Sequence, residues 1–102
     1  MERLIRLQQK IVPESLDLIE RRYEILRAVY FFQPVGRRQV AERAKLQERA
    51  VRNEADFLKR QGFLVQGDSG MRLTEEGAEV LWELESFIKA LRGFSELENV
   101  LG

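Results

Sequence analysis

The chain has 102 residues, 44% of them hydrophobic and 33% charged, with no histidine and no cysteine. That length makes one domain with a real core, and the composition excludes disulfide frameworks, thiolate zinc sites, Cys nucleophiles, Ser-His-Asp triads and HExxH metal sites. The formal net charge of zero hides a gradient: residues 21–60 carry eleven basic and five acidic groups, and residues 61–102 carry three basic and eight acidic ones.

The opening MERLIRLQQK lacks the apolar stretch of a signal peptide. No apolar run reaches the ~18 residues of a membrane span, so no membrane partner is expected. With no cysteine to oxidise, a cytoplasmic location is expected. Leu4, Leu7 and Ile11 recur at helical spacing, which predicts an N-terminal helix or arm over residues 1–13. Pro13 suits the first turn of a new helix. From Glu14 to about Phe32, Leu16, Ile19, Tyr23, Leu26 and Tyr30 form an amphipathic stripe. Pro34 and Gly36 end it. A short helix follows from Arg37 to about Ala44, with Val40, Ala41 and Ala44 inward. Lys45-Leu46-Gln47 makes a turn. A third helix is predicted from about Glu48 to Gln61 on the stripe Val51, Ala55 and Leu58, and Gly62 stops it.

The period then changes. Phe63 to Gln66 reads as a strand, Gly67-Asp68-Ser69-Gly70 as a turn, and Met71 to Leu73 as the returning strand. Thr74 caps a last helix that reaches about Leu91, with Glu75 and Glu76 in its first turn. The fold predicted is mainly α with a small β-hairpin, a winged helix-turn-helix over residues 14–92 flanked by N- and C-terminal helices. Residues 93–102 read as a connection.

In such a fold the second helix of the helix-turn-helix lies in the DNA major groove. Its free face is predicted to be Gln47, Glu48, Arg49, Arg52, Asn53, Asp56 and Lys59. Arg49 and Arg52 suit guanine edges, and Asn53 suits adenine. A solvated helix held by a Glu48–Arg52 pair explains the same pattern without DNA. Arg37 and Arg38 occupy a helix first turn, where the macrodipole disfavours cations. Two arginines at a helix N-terminus are a phosphate site. Arg72 points outward from the wing, toward a phosphate, the minor groove or Asp68. The last helix has more apolar residues than one face needs. Val80, Leu84, Phe87, Leu91 and Phe94 have coiled-coil spacing, which predicts either a dimer seam or ordinary packing.

The stretch from Arg21 to Gly77 resembles the N-terminal region of the central glycolytic genes regulators, repressors of the SorC group allied to the deoxyribonucleoside regulators. Gln8-Gln9-Lys10, Pro13, the Pro34-Val35-Gly36-Arg37-Arg38 run and the Leu73-Thr74-Glu75-Glu76-Gly77 run carry the resemblance, which covers nearly the whole chain. It implies a winged-helix domain on a double-stranded operator upstream of glycolytic genes. It further implies a larger C-terminal domain that binds a sugar-phosphate effector and drives assembly into dimers or higher oligomers, and which this chain lacks. Family members often have Ser where Gln47 stands, and Gln caps a helix poorly.

Two other classes compete. A winged helix serving only as a protein-interaction or dimerisation module fits the acidic last helix, but does not need a basic face over residues 37–60. An enzyme would need its carboxylates gathered. They are spread over predicted helix surfaces, with no Gly-rich loop and no metal-ligand spacing, so neither catalysis nor a cofactor is expected.

Overall fold

A computed structural model describes the backbone of residues 13–101 and the side chains of residues 16–93. The predicted helix over residues 1–12 lies outside the described residues. Helix α1 spans Pro13–Phe32, α2 Arg37–Ala44 and α3 Glu48–Arg60. Strands β1 (Leu64–Gly67) and β2 (Gly70–Leu73) follow, then helix α4 (Glu75–Leu101). Helix α4 therefore runs ten residues past the expected stop, because Gly93 sits in a helix otherwise rich in good helix formers.

Helix α1 is the hub and packs on α2, α3, β2 and α4. Being wrapped on several sides, it buries a wider arc than one stripe: Ile25, Leu26 and Val29 are fully buried and Tyr23 and Ala28 nearly so. Tyr30, expected in the stripe, instead lies at its edge and is 38% exposed. Val40, Val51, Leu58, Met71 and Ile88 complete the core. Each such buried side chain contributes roughly 1.5–3 kcal/mol relative to exposure.

The turn between α2 and α3 is tight because Lys45 adopts a left-handed conformation, φ 57° and ψ 44°, and the Leu46 N–H donates to the Ala41 carbonyl at 3.0 Å. The hairpin pairs Leu64 with Leu73 and Val65 with Arg72. Strand alternation buries Met71 and exposes Arg72, as the sequence predicts. A third piece joins this sheet from outside it. Val35, in the loop after α1, exchanges two backbone hydrogen bonds with Met71, at 2.8 and 3.1 Å. Gln33 adds its side-chain oxygen as acceptor for the Leu73 N–H at 2.8 Å.

Two glycines make these approaches possible. A Cβ on Gly70, whose φ is +134°, would stand 2.6 Å from the Val35 nitrogen. A Cβ on Gly77 would stand 2.0 Å from the Phe63 carbonyl oxygen, so only glycine lets α4 start against the hairpin.

Candidate nucleic-acid interface

Helix α3 buries Val51, Ala55 and Leu58 and turns Gln47, Glu48, Arg49, Arg52, Asn53 and Asp56 to solvent. Lys59, expected on the same open face, is half-buried. Three side chains from two elements fix how α3 sits. The Arg22 Nε of α1 donates to the Glu54 carboxylate at 2.7 Å, and its guanidinium lies 3.9 Å from the centre of the Phe57 ring. Arg22 belongs to the basic centre of the sequence, yet it is spent on holding the back of α3. Sequence reasoning missed this pair because 32 residues separate its members. The excess of basic residues over 21–60 was the available signal, since a partly buried carboxylate on α3 favours such a partner.

Among the described residues the ion pairs are Arg22–Glu54 and Lys89–Glu85. Neither Glu48–Arg52 nor Asp68–Arg72 forms. Arg37, Arg38, Arg49, Arg52 and Arg72 are exposed and have no carboxylate partner among the described residues.

Helix α2 starts at Gly36 with no side-chain cap and no acidic residue in its first turn. The first N–H of the helix with a backbone acceptor is that of Val40, bonded to the Gly36 carbonyl at 3.1 Å. The N–H groups ahead of it are open beside Arg37 and Arg38, which is the arrangement that takes an anion. Helix α3 likewise starts at Gln47 without a side-chain cap. Arg72 stands on the wing opposite the half-exposed Val65.

The α4 residues expected either as a dimer seam or as ordinary packing are covered to different degrees within this chain. Leu91 is 5% exposed within this chain, and Val80 and Leu84 pack partly against its core. Phe87 is half-buried. No described helix is long and apolar enough to cross a membrane.

A helix-turn-helix followed by a hairpin wing, with an arginine-bearing second helix facing out, defines a winged-helix DNA-binding domain. Residues 18–88 match the family described as the CggR N-terminal DNA binding domain, and the chain belongs to that family. The family is one of DNA-binding domains, not of enzymes. The chain is 43% identical over 101 residues to the central glycolytic genes regulator of Priestia megaterium (strain DSM 319 / IMG 1521). It is 39% identical over the same length to the protein of that name from Bacillus subtilis (strain 168). Each alignment takes in 99% of this chain and 30% of the relative, so the chain spans about a third of the length of these relatives. A solved protein of unknown function from Listeria innocua Clip11262 superposes with a TM-score of 0.62 at 20% identity, over 70% of this chain and 53% of that one. That likeness concerns the fold alone.

Proposed function

We propose that this chain is the operator-reading module of a transcriptional regulator of glycolytic genes, acting as a repressor in the cytoplasm. In this reading α3 enters the major groove. Arg49 and Arg52 meet guanine edges and Asn53 meets adenine, with Gln47 and Glu48 at the helix start. Arg37 and Arg38 hold a phosphate at the α2 N-terminus, Lys59 follows the backbone, and Arg72 reaches DNA from the wing. A sugar-phosphate effector and assembly into dimers or higher oligomers are what the family resemblance implies for a longer protein; this chain aligns with 30% of each relative. The observation that carries the reading is the α2 start, uncapped and flanked by Arg37 and Arg38, beside an α3 whose outer face carries Arg49 and Arg52. Both α2 and α3 begin without a side-chain cap, next to exposed arginines that have no partner among the described residues.

The test is fluorescence anisotropy of labelled duplex DNA titrated with this chain from low to physiological salt. Steeply salt-dependent binding is expected, tighter on one sequence selected from a library. Arg49→Ala and Arg52→Ala should each cost about 1–3 kcal/mol and relax base preference at one position. Equal binding by both variants would remove α3 as the reading element. Absence of binding at the lowest salt would mean either that a further domain is needed to pair two weak modules or that the basic face serves a protein partner.

A further inference from the structure

The flank of the domain formed by α1 and α4 is aromatic. Tyr30, Phe31 and Trp82 are 38%, 62% and 51% exposed. Tyr30 packs edge-on against both others, with ring centroids 5.2 Å from Phe31 and 5.5 Å from Trp82. The three rings line one shallow depression with Arg27 and Glu85. Among the described residues only Phe32 and Val65 are other large apolar side chains this exposed. Single exposed apolar residues are ordinary, but a cluster marks a contact surface. Aromatic rings and arginine are also the groups enriched where proteins meet.

The charges around it bear on which partner would fit. Arg27 and Glu85 bring opposite signs to the same depression. Arg27 has no carboxylate partner among the described residues and leans 5.3 Å from the Phe31 ring centre. Among the described residues Glu85 has one ion pair, to the exposed Lys89 at 3.5 Å, one helical turn on, a contact of little weight. A wholly acidic or wholly basic partner would satisfy one of these groups and repel the other. A second copy turned about a two-fold axis satisfies both, since an isologous surface must complement itself.

We propose that this chain pairs with a second copy through Tyr30, Phe31 and Trp82, with Arg27 of each copy set against Glu85 of the other. Such pairing leaves α3 open. Arg22, which holds α3, and Arg27 are five residues apart on α1, which places them roughly 140° apart around the helix at ~100° per residue. The contact also differs from the seam expected on α4, where Leu91, Val80 and Leu84 serve the chain's own core. It does not rest on DNA binding.

Trp82 is the only tryptophan, so the patch carries its own probe. Sedimentation velocity and tryptophan emission are recorded on the same samples, without DNA, from low to high micromolar concentration. The expected result is a doubling of mass and a blue shift of emission along one concentration curve. Phe31→Arg should weaken pairing by about tenfold or more with an unchanged far-UV circular dichroism spectrum. Arg27→Glu and Glu85→Arg should each weaken it, and the two together should restore it. A monomer throughout overturns the proposal, including one whose tryptophan is already shielded at every concentration by another part of the same chain. So does a dimer with constant emission that survives Phe31→Arg and is lost on Phe87→Arg. Either failure leaves the DNA-binding reading intact.

Discussion

Helix α4 and helix α2 begin in opposite ways. At the start of α4 the Thr74 hydroxyl accepts from the Gly77 N–H at 3.0 Å and donates to the Gly62 carbonyl, and Glu75 and Glu76 fill the first turn. Hydroxyl and carboxylates all complement the positive end of the helix. Helices α2 and α3 begin at Gly36 and Gln47 with no side-chain cap, and α2 places two arginines where acids would stabilise it. The first helix end locks the wing to the body of the domain and is satisfied from within. The α2 start gives up capping energy and leaves its donors open, which suits the phosphate contact proposed there, whereas α3 keeps Glu48 in its first turn. Which end is capped therefore separates the helix start that serves the architecture from the one proposed to meet DNA.

The comparison breaks most severely at Gly77. Gly77→Ala forces a Cβ onto the Phe63 carbonyl and should destabilise the domain by about 3 kcal/mol in urea unfolding. A small loss there would mean that α4 does not need its close seat on the hairpin. Thr74→Ala removes the internal cap and should cost about 1 kcal/mol of stability, while DNA affinity per folded molecule stays constant. Arg38→Ala should do the reverse. Stability should hold or rise slightly, and the slope of log affinity against log salt should fall in magnitude by about 0.9. An unchanged slope would take the phosphate away from the α2 start. Gln47→Ser is the mildest probe: the extended backbone of residue 47, φ −70° and ψ 143°, already suits a cap. The change should stabilise the domain by about 0.5 kcal/mol, visible as a small rise in Tm. No gain would show that the α3 start is held some other way.

Most of the architecture was legible in the sequence because it rests on local signals. Apolar spacing marked α1, α2 and α3, while Gly62, the Asp68-Ser69 tip and Thr74 marked the turns. The open face of α3 followed by subtraction from its buried stripe. What escaped depends on contacts between distant residues. No periodicity announces a single extended residue such as Val35, and the Arg22–Glu54 pair joins two helices far apart in the chain. Tyr30 fell at the edge of the buried arc because helical spacing gives a direction but not how wide an arc the neighbours cover. The stop of α4 was misplaced for a related reason. A lone Gly93 weakens a helix by about 1 kcal/mol and does not by itself end it. The DNA contacts themselves stand on residue type and exposure.

The two hydrogen bonds between Val35 and Met71 tie the loop that enters α2 to the returning strand of the wing. The anion-ready helix start and Arg72 therefore belong to one stiff body instead of two loosely hinged arms. The configurational freedom that separate arms would surrender on meeting a duplex is given up during folding, before any ligand arrives. The two amides that make this tie should also exchange with deuterated water together, at a rate set by opening of the core and not by motion of the wing tip.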